Sequence, residues 1–207
     1  MRWILRELRE LGPLRRRNAV SRLGRAGACA LALLPACSAQ SPKSTPIALA
    51  PAATVSQVRM GPMPDCGIYA LRETMLSEVN AARAKGRSCG ARRLPPATPL
   101  AWNDALTSAA ASHSADMARR DYFGHTSPEG KRVGTRVTAQ GYRWRLVGEN
   151  IAGGDRSVEI VMRGWMDSPG HCANIMNPEF SDIGAACVER PGTTWGTYWT
   201  MVLGRRR

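Results

Sequence analysis

The apolar residues Ile68, Leu71, Met75 and Val79 recur three and four places apart, the spacing that aligns side chains on one helical face. They predict a helix from Ile68 to about Lys85, stopped by Gly86. Arg92 to Pro99 is rich in proline and reads as a loop. A second helix is predicted from about Leu100 to Arg119. Leu106, Ala110, His113 and Met117 form its apolar stripe, with Asp116 and Arg119 off it. A third, short helix fits Arg132 to Gln140, ended by Gly141, and a fourth fits Val158 to Asp167, before Pro169 and Gly170. Asp182 to Val188 and Thr194 to Leu203 have strand character, the latter through Trp195, Tyr198, Trp199 and Val202. Pro191 and Gly192 between them suit a hairpin turn. Glu149 to Ile151 reads as a third short strand. Helices with a small antiparallel sheet define an α+β fold class, and no internal repeat is present.

A hydrophobic fraction of 43% in 207 residues suits one globular domain with appendages. No apolar run reaches the roughly 20 residues of a membrane span. The net charge of +13 is uneven: residues 1–37 hold eight arginines against Glu7 and Glu10, leaving +7 on the rest. That remainder favours anionic surfaces such as acidic headgroups or wall polymers. Nucleic acid is disfavoured, because the basic residues are scattered and no recognition motif appears.

Arg15, Arg16, Arg17, Arg22 and Arg25 precede a short apolar run from Gly27 to Ala36, so residues 1–37 read as an export signal. Leu34-Pro35-Ala36-Cys37 resembles a lipoprotein cleavage box, which would make Cys37 a lipid anchor. The alternative is an ordinary signal peptide cut near Ala39. Residues 38–64 are rich in Pro, Ala and Ser and read as a flexible tether, with the folded domain at 65–207. The expected location is therefore periplasmic, membrane-anchored or extracellular. Four cysteines remain in the domain, Cys66, Cys89, Cys172 and Cys187, an even count that in an exported protein reads as two disulfides. Of three pairings, Cys66–Cys89 with Cys172–Cys187 closes the most local loops and is the expectation. No Cys-x-x-Cys pair supports a zinc site in their place.

Several ordered pieces carry a family resemblance. They are Glu78-Val79-Asn80 with Ala82-Arg83, Leu100-Ala101-Trp102-Asn103, His113-Ser114-Ala115-Asp116-Met117, Phe123-Gly124-His125-Thr126-Ser127-Pro128, Gly148-Glu149-Asn150-Ile151, Trp165-Met166-Asp167-Ser168-Pro169-Gly170-His171 and Ile183-Gly184. In that order they resemble the bacterial branch of the CAP superfamily (cysteine-rich secretory, antigen 5 and pathogenesis-related 1 proteins), also called SCP domains. The resemblance implies an α-β-α sandwich with a small antiparallel sheet between helices, and a shallow cavity where two histidines and two acids converge. It assigns His125, Glu149 and His171 to three of those positions and Asp167, less closely matched, to the fourth. It further implies zinc or another divalent metal as a candidate cofactor, and a lipid or cell-envelope ligand as a candidate partner.

Those residue types suit metal binding or proton transfer. His113, on an apolar stripe, reads foremost as a core residue. Trp144, Trp165, Trp195 and Trp199 are candidates for a lipid groove but read first as packing. Gly86-Arg87-Ser88-Cys89-Gly90 fits the nucleophile-elbow pattern without the strand and helix that it needs. Ser127 and Ser168 would serve as nucleophiles only with a base in reach. The leading expectation is an exported envelope protein that binds a metal, lipid or surface ligand without strong catalysis. The alternative is a metal-assisted hydrolase or peptidase using the same cavity.

Overall fold

In a computed structural model that describes residues 65–207, the first apolar stripe forms helix α1 (Leu71–Arg83), with Leu71, Met75 and Val79 buried. The export signal, the tether and Cys37 lie outside the described residues. α1 starts later than its periodicity predicts because Ala70 is left-handed, with φ 53°, a conformation that a continuing right-handed helix excludes. A hairpin of β1 (Arg87–Cys89) and β2 (Arg92–Leu94) follows where the sequence predicts a loop. Its short strands are largely exposed and show no polar–apolar alternation, so the usual strand signal is missing.

After β3 (Ala101–Trp102), α2 runs Asp104–Arg120. It begins at Asp104 rather than Leu100 because the Asn103 side chain accepts hydrogen bonds from the backbone N–H groups of Ala105 and Leu106, a cap that fixes the first turn. Its stripe of Leu106, Ala110, His113 and Met117 is at most 1% exposed. α3 (Val133–Ala139) and α4 (Val158–Asp167) form where the pattern places them. The sequence does not predict α5 (Pro169–Ile175): Pro169 ends one helix but opens the next, a position where its missing N–H costs nothing.

Four strands make the central sheet in the order β3-β5-β6-β4, with β4 (Trp144–Gly153), β5 (Asp182–Glu189) and β6 (Thr197–Arg206). The β4–β6 and β5–β6 pairs are antiparallel, while β3 pairs parallel with β5. The expected strand at Glu149–Ile151 is the middle of the longer β4. Gly184 lets α2 lie against β5: a Cβ there would sit 2.2 Å from the backbone nitrogen of Thr107. Leu106, Ala109 and Ala110 of α2 share one core cluster with Ala186, Val202, Val137 and Tyr142. Side chains alternate along a strand, so Ile183, Ala185 and Cys187 turn to the other face, where α1 packs on β5 and α4, and α4 on α5. The result is the α-β-α sandwich.

Arg83 fastens the second helical layer. It is fully buried, and it donates to the carbonyls of Thr98 (2.8 Å), Ile175 (2.6 Å), Asn177 (2.9 Å) and Phe180 (3.4 Å). Burial lowers its pKa, yet four carbonyl dipoles solvate the charge that water would otherwise hold.

Both disulfides depart from the expected local pairing. The bonds are Cys66–Cys187 and Cys89–Cys172, with Cα atoms 5.4 and 5.5 Å apart. Asp65 bridges in parallel to Cys187, which carries Cys66 alongside β5. The β1–β2 hairpin in turn brings Cys89 against α5. Loop-closure entropy rises only slowly with length, so sequence proximity does not outweigh this tertiary placement. The Cys89–Cys172 bond closes a separation of 83 residues. Replacing both cysteines by serine should cost about 2–5 kcal/mol, read as a lower Tm by circular dichroism. An unchanged Tm would show that the hairpin is held without the bond.

Candidate ligand site around Glu149

Glu149 lies in mid-β4, its side chain 3% exposed. Oε1 accepts from Nδ1 of His125 at 2.9 Å, and Oε2 accepts from the Arg136 guanidinium at 2.6 Å. His113, on the inward stripe of α2, places Nε2 3.8 Å from Oε1. That nitrogen hydrogen-bonds the carbonyl of Gly124 at 3.0 Å. A carbonyl only accepts, so Nε2 carries the hydrogen. His113 is the buried structural residue that its stripe suggests, and it also pins the loop one residue before His125.

That loop leaves α2 through Asp121, left-handed at φ 51°. The Asp121 carboxylate accepts from Thr194 N, Thr194 Oγ1 and Tyr198 Oη, which ties the exit of α2 to the β5–β6 end of the sheet. A turn at 127–131 follows, closed by the Ser127 N–H donating to the Lys131 carbonyl. The Ser127 hydroxyl donates to Glu129 and accepts from Lys131 N, so the serine nearest His125 in sequence is a turn residue. Arg136 of α3 donates to the carbonyls of Lys131 (2.7 Å) and His125 (3.1 Å) as well as to Glu149. One guanidinium thus fixes the loop, the backbone of His125 and the carboxylate behind its ring. Arg136 carries no sequence signal, because nothing in the spacing of α3 marks it; only tertiary register brings it to β4.

The other two expected site residues lie on α5 and at the end of α4. His171 is on α5, and its carbonyl accepts from Asn150 Nδ2 at 3.1 Å. Asn174 Nδ2 donates to the Glu149 carbonyl and to Asn150 Oδ1, so α5 is stitched to β4 at the site. Asp167 ends α4 and pairs with Arg87 at 3.6 Å. Among the described residues no group of three or more His, Cys, Asp or Glu is arranged to hold a metal ion. Of the four, the structure shows His125 and Glu149 in direct contact.

Glu149 stands behind the imidazole and not in the place of a ligand: both of its oxygens already accept hydrogen bonds, one from His125 and one from Arg136. What the arrangement does provide is an oriented imidazole. With Nδ1–H donated to a buried carboxylate, the ring of His125 is held in one tautomer and one orientation. His125 is also the accessible member, at 45% exposed.

The tryptophans serve packing. Trp165 and Trp199 are at most 2% exposed. Their indole N–H groups donate to the carbonyls of Ile151 and Asp155. Trp144 lies against Gly134 of α3, and Trp195 packs on Phe123 with ring centroids 5.1 Å apart.

The model of the cysteine-rich secretory protein family, CAP, matches residues 76–203, and the chain belongs to that family. Over 103 residues it is 37% identical to YkwD, an uncharacterized protein of Bacillus subtilis, an alignment covering 50% of this chain and 38% of that one. Over 85 residues it is 28% identical to YlbC, an uncharacterized membrane protein of the same organism, covering 41% and 25%. The chain therefore spans well under half the length of these relatives. An extracellular protein containing an SCP domain from Bacillus anthracis superposes with TM-score 0.54 at 26% identity, over 65% of this chain and 40% of that one. An outer surface protein of Borrelia burgdorferi gives TM-score 0.55 at 20% identity, over 66% and 92%, which speaks to the fold alone. The α-β-α sandwich implied by the sequence is thus the family fold.

Two outcomes test the site. Burial pushes the Glu149 carboxyl up, but the His125 hydrogen bond and the surrounding positive charge outweigh it and hold the group below the usual carboxylate range. Burial lowers the pKa of His113, only partly offset by Glu149. For both groups the unfolded chain takes up the proton first as pH falls, so acidification removes stability. The Tm should hold above pH 7, fall below the ordinary histidine value of 6.5, and fall again below the ordinary glutamate value of 4.5. A His113→Gln variant should flatten the upper part of that fall; a Tm that rises on acidification to pH 5 would contradict the assignment. Separately, Arg136→Met would leave Glu149 buried without its cation and should cost about 3–5 kcal/mol, measured by denaturant unfolding. A loss under about 1 kcal/mol, the scale of a surface pair, would show that Glu149 does not depend on Arg136.

Proposed function

We propose that this chain is an exported CAP domain that works at the cell envelope, binding a surface ligand through His125 without strong catalysis. The observation that carries the reading is the Arg136–Glu149–His125 chain, in which a buried ion pair holds one exposed imidazole in a fixed orientation. Such a ring accepts a hydrogen bond from a hydroxyl when neutral, and pairs with an anionic group when protonated. Export is supported by two disulfides, which persist in oxidising compartments, and by the likeness to an extracellular protein of Bacillus anthracis that contains an SCP domain. No helix of the described residues is long and apolar enough to cross a membrane. The leader ending at Cys37 would deliver the domain to the envelope and tether it there. The Ser127 hydroxyl is spent in its turn, donating to Glu129 and accepting from the Lys131 N–H, and so gives no support to a serine-hydrolase reading.

Co-sedimentation with purified wall polymer and with anionic lipid vesicles tests this reading. The protein should be retained by one of them, and His125→Ala should cut retention by about tenfold, the scale of one hydrogen bond to a charged group, compared at a temperature where circular dichroism shows both proteins folded. No retention of the parent on either, or equal retention of the variant, would refute the reading. Calorimetry with zinc should show no one-equivalent site. One-equivalent binding that disappears in the His125→Ala, His171→Ala double variant would replace this reading with a metal-binding one.

A further inference from the structure

Basic residues that are scattered along the sequence are gathered by the sheet at one end. β4 and β6 pair with Trp144 opposite Arg206 and Leu146 opposite Arg205, and the register shifts between Trp144 and Leu146, where Arg145 sits. The Arg207 N–H donates to the Arg143 carbonyl at 3.1 Å, which carries the ladder one step beyond both strands. Arg143, Arg145, Arg205, Arg206 and Arg207 are all exposed. Residues far apart in sequence thus stand on neighbouring strands, about 5 Å apart.

Two of the five are fixed by neighbours. The Arg206 guanidinium lies over the Tyr142 ring, 5.2 Å from its centroid, and Nε of Arg207 donates to the Trp144 carbonyl at 3.0 Å. The side chains of Arg143, Arg145 and Arg205 have no hydrogen-bond or ion-pair partner among the described residues, and none of the five is paired there with a carboxylate. Asp182, the acid bonded to Tyr142, is taken up by Tyr142 Oη and Ser181 Oγ. Crowded like charges repel one another and raise the local potential, a cost that an anionic partner removes.

The arrangement also bears on the shape of that partner. Arg206 turns to the α2 face, where Tyr142 belongs to the core cluster, so by alternation Arg205 turns to the other. A small anion or a thin chain lying on one face would meet only part of the group, whereas a surface broad enough to cover the end of the sheet meets all of it. Trp144 stands half-buried among the arginines, and indole rings favour the headgroup level of a bilayer.

We propose that the end of the sheet bearing Arg143, Arg145, Arg205, Arg206 and Arg207 docks the domain on an anionic lipid bilayer. This docking rests on the envelope location proposed above but not on His125: Glu149, behind that ring, lies about 17 Å further along β4 than Trp144.

The full-length protein is sedimented with vesicles of phosphatidylglycerol in phosphatidylcholine, and of phosphatidylcholine alone, at low and high salt. Retention should require phosphatidylglycerol and fall with salt. The triple variant Arg143→Gln, Arg145→Gln, Arg205→Gln should weaken it about tenfold or more, since one arginine near an anionic surface is worth about fivefold. The triple variant Arg92→Gln, Arg93→Gln, Arg163→Gln removes the same charge at exposed positions elsewhere and should weaken it by less than about threefold. Lysine at 143, 145 and 205 should keep most of the retention, because a bilayer surface reads charge and not the guanidinium fork. In the parent, anionic vesicles should slow dicarbonyl modification of Arg143, Arg145 and Arg205 relative to Arg92, Arg93 and Arg163, read by mass spectrometry. Equal loss in the two glutamine triples, or no selective protection, would overturn the proposal and leave only net charge. Loss in the lysine variant as large as in the glutamine one would overturn it in favour of a discrete ligand, and tight binding of a soluble phosphodiester polymer without retention on vesicles would overturn it in favour of a polymer. His125→Ala keeps all five arginines, so its retention decides the imidazole reading alone.

Discussion

A carboxylate buried as deeply as that of Glu149 can stay ionised only if its surroundings supply the charge and hydrogen bonds that water no longer gives. Much of the site's construction follows from that requirement. Arg136 is drawn inward to 9% side-chain exposure, and it brings α3 and the carbonyls of His125 and Lys131 with it. His113 must sit close enough to share the field while remaining neutral, and its one N–H is spent on the loop carbonyl of Gly124. The exposed ring of His125 is the outermost layer of this arrangement. Its position is set by Glu149 of β4, by Arg136 of α3 and, through the Gly124 carbonyl, by His113 of α2.

Elsewhere the sandwich uses polar groups in a similar way, as fasteners between layers and not as chemistry. Arg83 solvates its charge with four carbonyls from three segments. Asn150 and Asn174 knit α5 to the strand carrying Glu149. Asn80 exchanges two hydrogen bonds with the backbone of Leu100. Each satisfies backbone groups that would otherwise be orphaned where loops pass between layers. The residues that make the family motif recognisable are therefore largely residues that close irregular backbone, and only some of them line a site.

Periodicity made the helices legible because burial enforces it. The α4 limits match the expectation, and the Leu106, Ala110, His113, Met117 stripe is the buried face of α2. The β1–β2 hairpin escaped notice because three-residue strands facing solvent have nothing to alternate against. The disulfide pairing was misjudged for a related reason: locality is a property of sequence, while Cys66 meets Cys187 only because the chain entering the domain runs beside β5. His125 and Glu149 were legible as a pair through motif resemblance. Arg136 was not, since a lone arginine on a half-polar helix has no signature until α3 is docked against β4.

Arg136 serves three partners around Glu149, and the shape of a guanidinium decides how. Its terminal nitrogens are committed to Glu149 and to two carbonyls, whereas Nε lies on a different edge of the same plane and has no partner among the described residues. Lysine, a single point charge, could not divide itself in this manner. The planar fork lets one cation hold the carboxylate behind His125 and, at the same time, two loop carbonyls that fix the approach to that ring.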